Sequence, residues 1–303
     1  MNTLIASGSN HTVFITDNNQ VICWGDNSRK QCDININNAT SVACGVLFTA
    51  ILTNIGTISC YGYNVQGQCN SPSSIVNNFT AISCGGFFGA ALTDDNNVIC
   101  WGDNSFGQCD VPPDLNDVIF INCGYEHMAV ITSDNNVRCW GRNNNNQCTI
   151  PKHVTNVIAV ACGAKHTVAI IYKTEINDER INERKNERTG GQVICWGDNS
   201  LHQCLQPKCV NQHIISIACG NFHTVALTCD NMVICWGYNY WKQCVVPSNL
   251  PSIYNICAGH NYTTVITNEG KIICWGNNSA SQCNPYPFVP LFRKVDKSFA
   301  PLF

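Results

Sequence analysis

The sequence predicts an all-β fold, a seven-bladed β-propeller built from repeats of about 39 residues. The tripeptide Cys-aromatic-Gly occurs seven times, with successive spacings of 37, 40, 39, 56, 40 and 39 residues. Each repeat contains short apolar runs separated by polar turns, without helical periodicity. The runs are apolar throughout, which indicates sheets buried on both faces, and sheets stacked around an axis bury both faces. An open β-solenoid is the competing arrangement, but its repeats are usually shorter.

Each repeat is expected to form three or four antiparallel strands. A first run ends in small residues and Gly, as in residues 157–163, and a short loop follows. The second run opens with His-Thr or its equivalent, as in residues 166–171. A polar turn such as residues 93–97 leads to a third run that ends in Cys-Trp-Gly, as in residues 98–102. Runs of four to seven residues rich in Val and Ile, bounded by Asn, Asp and Gly, are typical of strands joined by hairpins.

The chain is predicted to be a single propeller domain over residues 1–303. Its blades are expected at about residues 3–33, 40–70, 79–110, 117–150, 156–206, 213–246 and 252–284. Blade 5 carries a charged loop insertion, residues 173–190, and a tail, residues 285–303, either closes the ring or binds a partner. We expect the tail to add an edge strand beside blade 1 or blade 7.

After Trp-Gly the repeats continue x-Asn-x-x-x-Gln-Cys, which places seven glutamines in register: Gln31, Gln68, Gln108, Gln147, Gln203, Gln243 and Gln282. The whole unit, G-x-x-H-T through V-x-x-W-G-x-N-x-x-G-Q, resembles the repeat of the regulator of chromosome condensation family over about residues 3–284. The compact period with Cys before Trp-Gly is similar to the short-repeat branch, with the crinkly-type receptor ectodomains of plants and the propeller-type β-lactamase inhibitor proteins of bacteria. The resemblance implies a seven-bladed propeller whose faces bind proteins.

One position departs from the family pattern. The family has Gly before the Gln, and here only Gly67 and Gly107 keep it. The replacements are Lys30, Asn146, His202, Lys242 and Ser281. A residue with a side chain is strained in a left-handed conformation unless it is Asn-like, so these turns are expected to differ from those with Gly.

The cysteines form seven C-x8-C pairs, and these are the candidate disulfides: Cys23 with Cys32, Cys60 with Cys69, Cys100 with Cys109, Cys139 with Cys148, Cys195 with Cys204, Cys235 with Cys244, and Cys274 with Cys283. Each pair spans a tight turn, where a disulfide is sterically plausible. Small reduced core residues are the alternative. A Cys3His zinc site, from sets such as Cys139, Cys148, Cys162 and His166, is a further alternative. We predict no metal site, because the position of His166 is Phe in two other blades.

Composition excludes several classes of protein. Aromatic residues make up 9% of the chain, and 45% is hydrophobic, which excludes an intrinsically disordered chain. The net charge of −3 argues against a nucleic acid partner. The sequence shows no apolar run long enough to span a membrane and no secretory signal, so we expect no membrane partner and a location inside a host cell or in a virion. The abundance of Asn resembles that of proteins from giant DNA viruses.

The sequence contains no nucleophile motif, phosphate loop or paired carboxylates, so we predict no enzymatic activity, no catalytic residue and no cofactor. The histidines at the G-x-x-H position are expected to be structural and to hydrogen-bond backbone across the hairpin. The predicted function is a protein-interaction propeller, an adaptor or scaffold, with a protein partner of unknown identity. A structural or virion-associated protein is one alternative, and a nucleotide exchange factor for a small GTPase, implied by the family namesake and its action on the Ran GTPase, is another.

The insertion in blade 5 is the predicted partner contact, because it breaks the pseudo-symmetry of the repeats. It contains ten charged residues, five acidic and five basic. The candidate contact residues are Lys173, Glu175, Arg180, Arg184, Lys185 and Arg188.

Overall fold

The computed structural model describes residues 4–72, 78–172, 191–207 and 213–285. Seven antiparallel three-stranded sheets follow one another along the chain, one for each repeat, and each sheet orders its strands as they occur in sequence. The predicted all-β propeller is confirmed, with three strands per blade in this part of the chain. The predicted insertion and residues 286–303 of the predicted tail lie outside the described residues.

The bounds of the strands repeat from blade to blade. The first strands are β1 (Ile5–Ser7), β4 (Ala39–Cys44), β7 (Phe79–Cys84), β10 (Val118–Cys123), β13 (Val157–Cys162), β16 (Ile214–Cys219) and β19 (Ile253–Ala258). The middle strands are β2 (His11–Ile15), β5 (Phe48–Thr53), β8 (Phe88–Thr93), β11 (His127–Thr132), β14 (His166–Ile171), β17 (His223–Thr228) and β20 (Tyr262–Thr267). The third strands are β3 (Val21–Gly25), β6 (Ile58–Gly62), β9 (Val98–Gly102), β12 (Val137–Gly141), β15 (Gln192–Gly197), β18 (Val233–Gly237) and β21 (Ile272–Gly276).

The middle strand of each blade is buried along its length, except for the half-buried Thr132 at the end of β11. The apolar runs therefore lack alternation because both faces of the strand contact other blades. Each first strand from blade 2 onward has a β-bulge near its start, and the bulge bends the strand where it enters the blade.

The hydrophobic core lies between blades rather than within them. Val168 and Ile170 of β14, for example, pack with Ile214 and Trp236 of the following blade. The ring closes in the same way, because Ile5 of blade 1 packs in one cluster with Ile266 of blade 7. Blade 7 therefore contacts blade 1 directly within the described residues.

Glycines allow the blades to approach one another around the central axis. A Cβ added to Gly163 would lie 2.1 Å from the ring of His166 and 2.7 Å from the carbonyl oxygen of Gly220 in the next blade. Backbone hydrogen bonds link neighbouring blades at this level: the Tyr125 N–H donates to Gly163 at 3.2 Å, and the His260 N–H donates to Gly8 at 3.3 Å. The first strands of all blades line a central channel of about 570 Å³.

The propeller has two faces that differ in their loops. We define the turn face as the one formed by the β1–β2 type loops and by the turns that follow Trp-Gly. The two sets are adjacent, since the Asp103 N–H donates to the carbonyl oxygen of Phe87 at 2.9 Å. We define the hairpin face as the one formed by the hairpins between middle and third strands, such as residues 93–97. In blade 5 the insertion falls between Ile171 and Gln192, the ends of β14 and β15.

Candidate functional site: the turn face

The seven turns after Trp-Gly share one hydrogen-bonded frame. The Asn side chain accepts a hydrogen bond from the backbone N–H of the following Cys, as from Cys109 to Asn104 at 2.8 Å. The buried Gln side chain accepts another from a backbone N–H two residues earlier, as from Phe106 to Gln108 at 2.9 Å. Both bonds recur in all seven blades. The repeated Asn and Gln therefore hold the turn, and the sequence between them is free to vary.

The residue before the Gln is left-handed in every blade. The φ angle is 79° at Gly67 and 73° at Gly107, and it lies between 60° and 66° at the five residues that replace Gly. The expectation that those turns would differ is wrong. The two side-chain hydrogen bonds of the frame hold the backbone in this conformation even where Lys, His or Ser occupies the position.

Two variable residues stand at the tip of each turn, between the Asn and the left-handed residue. In four blades these tips expose large apolar or aromatic side chains: Val65 is 74% exposed, Phe106 41%, Leu201 36%, Tyr240 74% and Trp241 42%. No motif in the sequence marks these residues, although their variability between the repeated Asn and Gln is visible there.

The tips are organised by contacts with their neighbours. In blade 6 the rings of Tyr238 and Tyr240 lie almost parallel, with centroids 6.4 Å apart, and Trp241 meets Tyr240 edge-on at 5.2 Å. Between blades 3 and 4, the guanidinium of Arg142 in blade 4 lies 4.5 Å from the ring centroid of Phe106 in blade 3. Aromatic side chains with a polar edge and Arg are the residue types enriched at the energetic centres of protein interfaces.

Blade junctions beneath the turn face contain buried hydrogen bonds that join a His or Tyr, the Thr of the next blade and a Gln carbonyl oxygen. We call this set of bonds the relay. At the junction of blades 6 and 7, the Thr263 hydroxyl donates to the carbonyl oxygen of Gln243 at 2.9 Å and lies 3.2 Å from Nε2 of His223. The Trp275 indole N–H donates to the same carbonyl at 2.9 Å. A His or Tyr paired with the Thr of the next blade occurs at five junctions: His11 with Thr49, His127 with Thr167, His166 with Thr224, His223 with Thr263, and Tyr262 with Thr12.

These contacts define the state of the histidines. Because each Thr hydroxyl proton is used on a Gln carbonyl oxygen, the Thr oxygen accepts from the His Nε2–H, and Nδ1 carries no proton. Burial lowers the pKa of His11, His127 and His223 to about 4 and that of His166 to about 3. The histidines are therefore neutral and structural, and their side-chain partner is a Thr in the next blade rather than backbone across the hairpin.

Two junctions lack this relay. Phe48 stands at the His position of blade 2, and the Thr position of blade 3 is Gly89. Phe88 stands at the His position of blade 3 and packs in one apolar cluster with Met128, which occupies the Thr position of blade 4. The Gln carbonyls of these junctions still accept from indoles, from Trp101 to Gln68 at 2.9 Å and from Trp140 to Gln108 at 3.1 Å.

Each candidate disulfide pair joins a cysteine of a third strand to the cysteine that ends the following turn. Two pairs are bonded, Cys23 with Cys32 and Cys195 with Cys204, each with a Cα–Cα distance of 5.1 Å. The cysteines of the other five pairs are present as thiols. Within the described ranges, no group of three or more His, Cys, Asp or Glu side chains is arranged to hold a metal ion.

The predicted contact residues, from Lys173 to Arg188, lie outside the described residues. At the mouth of the channel, the Ser9 hydroxyl lies 2.6 Å from Nδ1 of His260, whose ring centroid is 6.0 Å from that of Tyr125. Burial lowers the pKa of His260 to about 4, so this side chain is neutral. None of the described segments forms a helix long and apolar enough to cross a membrane.

Comparison with known proteins agrees with this architecture. The family model described as Regulator of chromosome condensation (RCC1) repeat matches residues 3–31, 39–68, 79–108, 118–147, 214–240 and 253–282, and blade 5 with its insertion is not among the matches. No curated protein matches the chain in sequence.

Solved structures with 20% identity or less share the fold. The ectodomain of the receptor kinase CR4 from Physcomitrella patens has a TM-score of 0.72 at 20% identity, covering 90% of this chain and 73% of that one. Prp20p from Saccharomyces cerevisiae, described with its binding properties to Gsp1p and histones, has a TM-score of 0.71 at 15% identity, covering 98% and 88%.

Proposed function

The chain belongs to the regulator of chromosome condensation (RCC1) repeat family, and on that premise we propose that it is a non-enzymatic protein-interaction propeller that binds its partner through the turn face. The observation that carries the proposal is the set of seven turns with one frame and variable tips. A rigid frame that presents variable residues is the arrangement by which scaffolds with loops recognise partners.

The tips of blades 3 and 6 are the centre of the proposed interface. Phe106, with Arg142 above its ring, and the group of Tyr238, Tyr240 and Trp241 are rigid aromatic side chains that lose little conformational entropy on binding. The net charge of −3 supports a protein rather than a nucleic acid as the partner. Prp20p supports the same class of function, because its structure is described with protein ligands.

The insertion of blade 5 remains a second proposed contact. Its charged residues 173–190 differ from the apolar and aromatic tips of the turn face. An interface on the insertion would be electrostatic and salt-dependent, whereas an interface on the aromatic tips would resist salt. Salt dependence of binding therefore separates the two contacts.

The test is capture of partners from a lysate of the native host with four forms of the full chain. These are the intact chain, Tyr240→Ala/Trp241→Ala on the turn face, Ile55→Ala/Met232→Ala on the hairpin face, and a deletion of residues 173–190. Ile55 and Met232 are 67% and 45% exposed, so they match the turn-face pair in exposure. We expect a partner, identified by mass spectrometry, that is lost only with the turn-face variant.

Each other outcome changes the proposal in a defined way. Loss only with the deletion would place the contact on the insertion. Loss with the hairpin-face pair would contradict the turn face as the binding surface. Capture of a small GTPase would favour the exchange-factor alternative, to be measured as release of a bound fluorescent nucleotide. Enrichment of nothing by any form would contradict an adaptor and favour a structural or virion-associated role, which localisation of the chain by antibody labelling would check.

A further inference from the structure

The C-x8-C cysteines have the same placement in all seven blades. The first lies in the third strand, opposite a Val, Ala or Thr of the middle strand. The second ends the turn, and its backbone N–H is bonded to the Asn of the frame in every blade. The two pairs that are bonded differ from the others in no part of this frame.

The sulfur atoms of bonded and unbonded pairs have the same backbone neighbours. Sγ of the turn cysteine lies 3.8 Å from the carbonyl oxygen of the residue after Trp-Gly in the bonded Cys32 and 3.3 Å from it in the unbonded Cys109. Sγ of the strand cysteine lies 3.7 Å from the Gln carbonyl oxygen in both the bonded Cys195 and the unbonded Cys139. The Cα–Cα distance of 5.1 Å in the two bonded blades lies within the range that a disulfide spans without movement of the backbone.

We propose that all seven C-x8-C pairs form disulfides, so that each turn of the turn face is covalently stapled to the third strand of its own blade. The oxidant is a small-molecule disulfide such as oxidised glutathione. This inference stands independently of the proposed function, since it depends only on the pairing of the cysteines.

The chemistry begins at the turn cysteine. Cys109 is the less buried thiol of its pair, and its interaction with the neighbouring Cys100 lowers its pKa. Its thiolate attacks one sulfur of the oxidised glutathione and releases a first reduced glutathione, leaving a mixed disulfide on Cys109. Cys100 then loses its proton and attacks the Cys109 sulfur, releasing the second reduced glutathione. Two protein thiols are oxidised and one glutathione disulfide is reduced to two thiols.

A third cysteine accompanies the pair at five junctions. Cys84 of blade 3 packs in one cluster with Cys60 of blade 2, and Cys123 of blade 4 packs with Cys100 and Cys109 of blade 3. Burial raises the pKa of Cys123 to about 12 and that of Cys84 well above its usual range. Burial raises the pKa of Cys60 to about 12 as well, so the choice of partner depends on placement rather than on thiol acidity. The proposed pairing within the blade follows the geometry of the two bonded pairs.

The experiment counts free thiols in the full-length chain. The protein is equilibrated with oxidised glutathione, unfolded in acid to stop exchange, labelled with N-ethylmaleimide and weighed. Of the 22 cysteines, we expect eight to be labelled, and all 22 after reduction. Formation of seven disulfides also removes about 14 Da from the unlabelled chain. Mapping of linked peptides should return the C-x8-C pairs. More than eight labels, or linked peptides from different blades, would overturn the proposal.

Three variants distinguish pairing within a C-x8-C pair from pairing with the first-strand cysteine beside it. In Cys60→Ser, the partner Cys69 is left free and the count rises to nine, whereas Cys84→Ser lowers it to seven. Pairing of Cys60 with Cys84 would instead give nine labels in both variants. Cys229→Ser, outside all pairs, should also give seven. The peptide map of the unsubstituted protein decides the question if a variant does not fold.

Discussion

The junction of blades 6 and 7 and the junction of blades 3 and 4 solve the same packing problem with different chemistry. In the first, His223, Thr263 and the carbonyl oxygen of Gln243 form a buried chain of hydrogen bonds. In the second, Phe88 and Met128 occupy the corresponding positions and make an apolar contact. Each side of a junction therefore matches its neighbour rather than a consensus of the repeat.

The difference shows that the unit of stability is the junction. A buried polar group is tolerated where its partner stands in the next blade, and Phe appears where that partner is Gly or Met. The relay also makes five of the junctions specific, because a His placed against an apolar partner would lose its hydrogen bond. The apolar junctions around blade 3 gain no such specificity but carry no group that can be protonated.

The largest expected effect is loss of stability in acid, which acts on the relay junctions and on His260. A His whose pKa falls from 6.5 when unfolded to about 4 when folded binds its proton only in the unfolded state between those values. The free energy of unfolding is therefore highest above pH 6.5. It falls as the pH drops toward 4, by about 3 kcal/mol for each such His.

Unfolding by urea at a series of pH values from 8 to 4 measures this effect. The chain should unfold without denaturant before pH 4 is reached, because four buried histidines at the junctions contribute together. His223→Phe/Thr263→Met, which copies the apolar junction, should show a shallower fall by one His. A free energy of unfolding that stays constant between pH 7 and 4 would contradict the assignment of neutral histidines.

At the apolar junction of blades 3 and 4, Phe88→His alone should lower the free energy of unfolding by about 2–3 kcal/mol. Phe88→His buries an imidazole N–H against Met128, where no acceptor stands, and the desolvation is not compensated. Phe88→His/Met128→Thr supplies the hydroxyl that can accept from the imidazole and donate to Gln108, and should recover more than half of the loss. Chemical denaturation measures both, with Met128→Thr alone as the control. Failure of the second substitution to help would show that the relay is not transferable.

The coupling free energy between His223 and Thr263 should be smaller than the effect of Phe88→His, about 1–2 kcal/mol. Thr263→Val removes the acceptor of His223 and leaves a buried N–H unpaired, while the Gln243 carbonyl keeps the Trp275 indole. His223→Phe/Thr263→Val removes both partners, so its destabilisation should be less than the sum of the single changes. A double-mutant cycle in urea gives the value. Strict additivity would mean that the hydrogen bond contributes nothing.

The smallest effect is expected at the turn tip of blade 6, whose ring contacts stay within that blade. Trp241→Ala should change the free energy of unfolding by less than about 0.5 kcal/mol, because Trp241 is 42% exposed and its contacts are with other tip residues. Trp196→Ala, a buried junction residue, is the matched comparison and should cost several-fold more. Similar melting shifts in the two variants would show that the tips are part of the core.

The sequence predicted what is local to a repeat and missed what connects repeats. The strands, the turns and the placement of Cys23 and Cys32 followed from residues less than ten positions apart. The partner of His11 is Thr49, 38 positions away, and the two become neighbours only when blades pack. A signal was present nonetheless, since His or Tyr is followed by Thr in the next repeat and Phe is not.

The candidate site shows the same limit. The repeated Asn and Gln were visible, but their roles as acceptors for backbone N–H groups require the turn geometry. The left-handed residue was placed correctly, while its tolerance of Lys30 and Ser281 depends on a frame of hydrogen bonds that no propensity describes.

The seam between blades 7 and 1 has a consequence for the order of folding. There the Tyr262 hydroxyl donates to the carbonyl oxygen of His11 at 2.6 Å, so residues from opposite ends of the chain meet. Every other junction joins neighbouring repeats, and its loop-closure entropy is small by comparison. The seam is the contact of highest sequence separation, so we expect it to form late in folding. A junction between neighbouring blades stays tethered by the chain when it opens, whereas within the described residues blades 1 and 7 are joined by noncovalent contacts across the seam.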